Sequence, residues 1–301
     1  MFKKILVPAD GSNTAEEPLA FAEKIAGRTA SDIHILHVSK EQNTGRHRMI
    51  EAWLEAIARE TKLNAEKYLP QAAQKEIAVI SDSLPGDPAE QIFAYSEKEN
   101  IDLILMASYG RSGPKRWVLG SVADKVARHS EIPVMLIKPH HPPQHPDTEL
   151  ILNKAIVSLD GSKASESIIP YVKELAAKCN IEIVLFEVIK YGYSMALPSG
   201  YDYIIRHQEQ LESETQAAME YLNAIADPLR NEGITVSIEV RSAAQVTTAI
   251  VDLIEDTSAN LVAMSTHGRS GLSRWAMGSV ADSTLRETNV PLLLVRPPKD
   301  A

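Results

Sequence analysis

The sequence predicts an α/β protein of two tandem doubly wound domains, each a five-stranded parallel sheet flanked by helices. Three observations carry that expectation. Two long stretches of the chain repeat one another, each stretch alternates short β-rich runs with helical ones, and a segment rich in Pro and His joins them. At 301 residues the chain has the length of two domains of about 150 each, and either half could bury its own core.

The repeat is read first because it sets every later correspondence. Ile5-Leu6-Val7-Pro8-Ala9-Asp10-Gly11-Ser12 recurs as Ala155-Ile156-Val157-Ser158-Leu159-Asp160-Gly161-Ser162, an offset of 150. Ser108-Tyr109-Gly110-Arg111-Ser112-Gly113, with Trp117 and Gly120-Ser121-Val122-Ala123-Asp124, recurs as Thr266-His267-Gly268-Arg269-Ser270-Gly271, with Trp275 and Gly278-Ser279-Val280-Ala281-Asp282. That offset is 158, and Pro133-Val134-Met135-Leu136-Ile137 matches Pro291-Leu292-Leu293-Leu294-Val295 at the same spacing. Eight net residues therefore enter the second copy, assigned to the Gly-, Pro- and Tyr-rich stretch 191–203. Its readings are a partner surface, a lid over the second site, or a loop without a role.

Each copy then unfolds as strands and helices in turn. The strands expected in the first are Lys4–Pro8, Ile33–Val38, Ile77–Ser81, Leu103–Ala107 and Val134–Ile137, nearly continuous in apolar residues as parallel strands covered on both faces should be. Thr14-Ala15-Glu16-Glu17 has the form of a capping box, and Leu19, Ala22, Ile25 and Ala26 follow at helical spacing. The stretch 49–74 also has helical period. The second copy offers Ala155–Leu159, Ile183–Val188, Val236–Val240, Leu261–Ser265 and Leu292–Val295. Between the copies, Pro139-His140-His141-Pro142-Pro143-Gln144-His145-Pro146 cannot continue a helix or enter a sheet interior, because its prolines lack backbone donors. The domains are accordingly 1–139 and 151–301, with 140–150 as linker. Its histidines have no carboxylate or cysteine at ligand spacing, so a solvated linker is the better reading than a metal site.

Composition narrows the function. Hydrophobic residues make up 44% and charged residues 24%, as in an ordinary globular protein, and the net charge of −9 argues against nucleic acid as a partner. The single cysteine, Cys179, excludes an internal disulfide and reads as a small core residue. No apolar run is long enough for a membrane span, and the one near the start is too short for a signal peptide, so a cytoplasmic protein with no membrane partner is expected.

In an open parallel sheet, ligands bind beyond the carboxyl ends of the strands. The repeated motifs fall there, with Asp10 and Asp160 after strand one and the Gly-rich loops after strand four, whereas the strand interiors carry nothing reactive on this reading. In those loops, glycine lets backbone approach a phosphate closely, and Gly120-Ser121 and Gly278-Ser279 open helices whose free amides attract anions. The plainer reading is a pair of turns at helix starts. Each aspartate likewise has two readings, a ligand group or a cap on the turn at Gly11-Ser12 or Gly161-Ser162. Arg111 and Arg269 could pair with phosphate or simply be solvated.

The spacing Ala107-Ser108-Tyr109-Gly110, nine residues, Gly120-Ser121, and its second copy Ser265-Thr266-His267-Gly268, nine residues, Gly278-Ser279, resembles the nucleotide motif of the universal stress protein family. The resemblance covers nearly the whole chain. It implies a Rossmann-like fold of the adenine nucleotide alpha hydrolase type, and a stress-response protein that binds ATP, or AMP or ADP, with or without Mg²⁺. It implies that Asp10 and Asp160 meet the adenine, that Val38 and Val188 present backbone to the base, and that Met106 and Met264 flank it. Ala107, Gly110, Arg111, Gly120, Ser121 and Val122, and Ser265, Gly268, Arg269, Gly278, Ser279 and Val280, then hold the phosphate end. It also implies that the fifth strands of the two domains pair within the chain, with a homodimer as a further expectation.

The copies depart from the motif differently. Ala107 and Ser265 stand where the motif's first glycine falls, Tyr109 stands against His267, and Gly86-Asp87-Pro88-Ala89-Glu90 after strand three has Ala243-Ala244-Gln245-Val246 as its counterpart. The chain carries no G-x-x-x-x-G-K-[ST] loop, G-x-G-x-x-G or H-E-x-x-H, so a binding or regulatory protein is expected rather than a catalyst. The alternatives are a nucleotide-free scaffold and a weak ATPase or nucleotidyl transferase, for which His267 is the best general-base candidate.

Overall fold

Parallel strands buried on both faces need a crossover helix between them, and the chain supplies one after nearly every strand. The computed structural model describes residues 2–39, 44–70, 76–109, 119–138, 152–190, 201–268 and 277–298, with backbone alone at 13, 15, 44–47 and 201–207. In chain order the elements are β1 (Lys4–Pro8), α1 (Asn13–Thr29), β2 (Asp32–Ser39), α2 (Thr44–Glu66), β3 (Val79–Pro85), α3 (Pro88–Glu99), β4 (Leu103–Ala107), α4 (Ser121–His129) and β5 (Val134–Ile137). They continue with β6 (Lys154–Leu159), α5 (Lys163–Glu166), α6 (Ile169–Cys179), β7 (Glu182–Lys190), α7 (Tyr201–Asn231), β8 (Val236–Ala243), α8 (Val246–Thr257), β9 (Leu261–Ser265), α9 (Ser279–Glu287) and β10 (Leu292–Val295). The linker 140–150 and the stretch 191–200 lie outside the described residues. No helix among the described residues is long and apolar enough to cross a membrane.

The chain divides into two compact units. The first comprises Met1–Leu152 with Ser273–Met277 and Asn289–Arg296, and its strands run in the order β3-β2-β1-β4-β5-β10. The first five are parallel, and β10 lies antiparallel to β5 with Leu293 opposite Met135. The second comprises Asn153–Leu272, Gly278–Thr288 and Pro297–Ala301, with the parallel order β9-β6-β7-β8. In both units the chain reverses direction across the sheet beside the first strand, between β1 and β4 and between β6 and β9. That switch point leaves a crevice beyond the strands' carboxyl ends.

Matched backbone features confirm the duplication locally. Ala30 and Asn180 each follow the helix after the unit's first strand with φ near 55°, and Asn100 and Ser258 do the same after α3 and α8. Each helix is thereby stopped by one left-handed residue. Gly11 and Gly161 also have positive φ, at 75° and 79°, which a turn immediately after β1 and β6 requires.

Several boundaries move from their expected places. Helix α1 begins at Asn13 because the Asp10-Gly11-Ser12 turn sets its start, and Thr14 Oγ1 bonds Ser12 Oγ at 2.9 Å. Strand β3 runs Val79–Pro85, later than Ile77–Ser81, since its partner β2 extends to Ser39 and pairs it to Pro85. The extra length of the second copy is spent partly in α7, which has 31 residues against 23 in α2.

The strand interiors are not chemically empty, contrary to the sequence reading. His34 in β2 is fully buried, its Nδ1 lies 2.9 Å from the Tyr95 hydroxyl, and that hydroxyl donates to Asp82 Oδ2 at 2.5 Å. With its proton committed to Asp82, the Tyr95 oxygen accepts from Nδ1–H, so His34 is the Nδ1 tautomer. Burial, helped by Lys4 and opposed by nearby carboxylates, holds the imidazole below its ordinary value, and burial together with Asp82 holds the phenol above its own. Periodicity hid this network because histidine and tyrosine occupy positions that any buried residue would fill.

Candidate functional site

The turn after β6 is built around Asp160. Its Oδ1 accepts from the Ser162 amide at 3.0 Å and the Ser162 hydroxyl at 2.6 Å, while Ser162 Oγ caps α5 by accepting from the Ser165 amide. Asp10 repeats the arrangement after β1, accepting from the Ser12 amide and hydroxyl at 3.0 and 2.5 Å. The capping role of both aspartates is therefore present, and in Asp160 it uses Oδ1. The second oxygen, Oδ2, faces Gly268 so closely that a Cβ there would overlap it. Glycine at 268 thus lets the loop after β9 close against the turn after β6.

That loop is pinned at its other end. The Gly278 amide donates to the Thr266 carbonyl at 2.8 Å, as Gly120 donates to Ser108 in the first unit at the same distance. A Cβ at Gly278 would meet the Thr266 oxygen at 3.0 Å. Neither Gly278 nor Gly120 caps its helix with a side chain, so the first-turn amides of α9 and α4 have no side-chain acceptor at the cap. An uncapped helix start of this kind favours an anion.

Together these elements enclose a cavity of about 740 Å³ in the second unit. Its size falls in the usual range for small-molecule sites. Of the residues singled out in the second copy, Asp160, Val188, Met264, Ser265, Gly268, Gly278, Ser279 and Val280 all line it, and Arg269 lies outside the described residues. In the first unit, Asp10 sits in the turn after β1, Val38 in β2, Met106 and Ala107 in β4, Gly120 at the cap of α4, and Ser121 and Val122 in its first turn. Gly110 and Arg111 lie outside the described residues.

The cavity wall also holds groups that motif spacing missed. Glu187, 8% exposed, comes from the carboxyl half of β7, and Tyr221, Ala217, Ala218 and Glu214 come from α7. Tyr221 donates to Glu166 at 3.5 Å, and burial, followed by the Glu166 carboxylate, holds its phenol above the ordinary value, with Glu187 and Asp160 adding to the rise. A run such as Ala217-Ala218 on a long helix could have signalled a face kept small beside a ligand, but only the packing of α7 shows it. His267 lines the cavity as well. Its Nδ1 meets Thr266 Oγ1 at 2.9 Å, its amide donates to Ser265 Oγ at 3.3 Å, and its Nε2 is buried with no hydrogen-bond partner among the described residues. No group of three potential metal ligands occurs among the described residues.

The turn after the third strand differs between units as the residues foretold. Asp87 accepts from the Glu90 amide at 3.1 Å and Pro88 opens α3, while Gln245 precedes α8 without a side-chain cap. Lys125 ties the first of these turns to α4, at 3.3 Å from Asp87 and 3.5 Å from Glu90.

Comparison with known proteins agrees with this architecture. Residues 1–138 and 152–296 each match the model of the universal stress protein family. Universal stress protein YxiE of Bacillus subtilis is 32% identical over 148 residues, 46% of this chain and all of that protein. A universal stress protein of Mycobacterium tuberculosis is 24% identical over 250 residues, 81% of this chain and 78% of its own. Among solved structures, a universal stress protein from Archaeoglobus fulgidus covers 100% of this chain and 99% of its own with a TM-score of 0.66 at 22% identity, a likeness of fold. The α/β units share that protein's fold, a mostly parallel sheet flanked by helices, in tandem. Matched by the family model in both halves, and built twice on this sheet, the chain belongs to the universal stress protein family.

Proposed function

We propose that the second unit binds an adenine nucleotide, ATP or its di- or monophosphate, and that occupancy regulates the protein rather than feeding a reaction. The cavity carries this reading. A carboxylate after strand one, Val188 of strand two and an uncapped helix start converge on one space of nucleotide size. Val188 would present backbone to the base and Met264 would lie against it. Ser265, Gly268 and the amides of Ser279 and Val280 would receive the phosphates, with the Ser279 hydroxyl as a further donor and Arg269 as a countercharge. In the first unit, Asp10, Val38, Met106, Ala107, Gly110, Arg111, Gly120, Ser121 and Val122 make the corresponding set. The domain limits we assign are 1–139 and 151–301 around the 140–150 linker, and cytoplasmic residence accords with this role.

Mass spectrometry of the small molecules released on denaturing the purified chain tests the proposal. Adenine nucleotide at a substantial fraction of one mole per mole is the expected result. No retained nucleotide, together with no thermal shift in millimolar ATP and Mg²⁺, would instead support a nucleotide-free scaffold.

One observation favours a second reading, slow ATP hydrolysis. His267 lines the cavity, and its Nε2 has no hydrogen-bond partner among the described residues, which leaves that nitrogen as the candidate base once water reaches it. Its Nδ1 partner is the Thr266 hydroxyl rather than a carboxylate, a weak orienter for a base. Turnover that disappears in His267→Ala would establish this reading.

A further inference from the structure

Helix α7 has 31 residues against 23 in α2, and most of the difference precedes its packed part. Among the described residues, the first buried side chain of α7 is Ala218, past the middle of the helix, whereas in α2 it is Leu54, before the middle. From Gln208 to Ala217, Leu211 and Thr215 are half-buried and the rest are exposed. The side-chain hydrogen bonds described in this stretch stay within the helix. Gln208 donates to Glu212 at 3.3 Å, Gln210 to Glu214 at 2.8 Å, Thr215 to the Leu211 carbonyl at 2.7 Å and Gln216 to Glu220 at 2.8 Å. Such pairs add little, and helices in proteins draw most of their stability from a packed face. These turns are therefore a low-stability extension of a helix whose second half is anchored by Ala218, Leu222, Ala226 and Leu229. Glu214 and Ala217 of that extension nevertheless line the cavity.

We propose that the turns of α7 ahead of Ala218 are a ligand-responsive cover on the cavity, whose helical order rises when the site is filled. This rests on the nucleotide reading of the cavity, and it names the element through which occupancy acts. A ligand shifts a conformational equilibrium only through contacts that differ between the two states. Here the difference is specific. In the helical state Glu214 and Ala217 stand on the cavity wall beside Ala218 and Tyr221, and a ligand against that wall gains their contacts. Once the extension unwinds, those contacts are lost, while the wall from Ala218 onward remains. The ligand therefore favours the helical state, and the helical state favours the ligand to the same degree. The opposite face carries Glu209, Glu212, Gln216 and Glu220, all exposed, so ordering these turns also displays an acidic helical surface.

Hydrogen–deuterium exchange of the full chain, with and without saturating ATP, tests this. Amides in 208–217 should slow by about tenfold or more on binding, and by more than those of α8, which Ala249, Ile250 and Leu253 already anchor. The reciprocal arm uses Glu209→Gly/Glu212→Gly, which weakens the helix away from the cavity wall. It should lower ATP affinity by about fivefold or more, although removing two negative charges would by itself favour an anion. Unchanged exchange in 208–217 while wild type binds ATP overturns the inference and leaves the nucleotide reading intact. Slowing in 208–217 that only equals that of α8 does the same, because it reports general stabilisation of the fold. Wild-type ATP affinity in a folded Glu209→Gly/Glu212→Gly chain likewise overturns it. Failure of wild type to bind ATP at millimolar concentration, seen as no thermal shift, removes both.

Discussion

Gly268 is the residue on which the proposed site depends most directly. Its Cα faces Asp160 Oδ2 with no room for a methyl group, so Gly268→Ala must push the loop after β9 away from the turn after β6. We expect a stability loss of about 1–3 kcal/mol in chemical denaturation and at least a tenfold loss of ATP affinity. Glu23 shows a different single-residue effect. Burial pushes its carboxyl up to about 7; the Asn64 hydrogen bond opposes the rise and Glu60 adds to it. The folded state thus favours protonated Glu23, and this contribution is fully present below the ordinary carboxyl value of 4.5. It is lost as pH rises through about 7. Glu23→Gln, which keeps an acceptor for Asn64, should therefore be more stable than wild type at pH 8 and close to it at pH 5, as read from denaturant midpoints. Identical pH dependence in the two proteins would contradict this account.

At the scale of elements, the copies solve the same problems with different chemistry. The start of α3 has an aspartate cap and the start of α8 does not. Asp87→Ala should lower the denaturant midpoint, whereas Gln245→Asp should raise it, because one removes and the other supplies a side-chain acceptor for the first-turn amides. The packing of β2 against α3 offers a second comparison. His34 and Tyr95 form a polar contact in the first unit where Val184 and Leu253 stand in the second. Tyr95→Leu alone leaves His34 and Asp82 without that hydroxyl, at a cost of about 1–3 kcal/mol or more. Adding His34→Val should recover part of the loss, because removing both polar groups avoids burying an unpaired one. A double variant less stable than the sum of the singles would count against this network. These contrasts were only half legible beforehand. Asp87-Pro88 announces a cap by residue type and position, but His34, Asp82 and Tyr95 lie far apart in sequence and acquire meaning only when β2, β3 and α3 converge.

For the whole molecule, the central expectation is linkage between ligand and stability. A nucleotide held only by the folded chain stabilises it by about 2.7 kcal/mol at one hundred times its dissociation constant. The unfolding temperature should therefore climb with ATP concentration in wild type and not in Gly268→Ala. A flat response in both would favour the scaffold. The sequence by itself determined the duplication, the α/β class, the family and the placement of the Gly-rich loops, because these follow from local periodicity and from motifs whose spacing repeats. Only the tertiary structure decided which oxygen of Asp160 caps the turn and which faces Gly268. It also decided that α7 walls the cavity and that Glu187 lies in that wall. Those outcomes depend on distances between residues remote in the chain, and no local pattern encodes such distances.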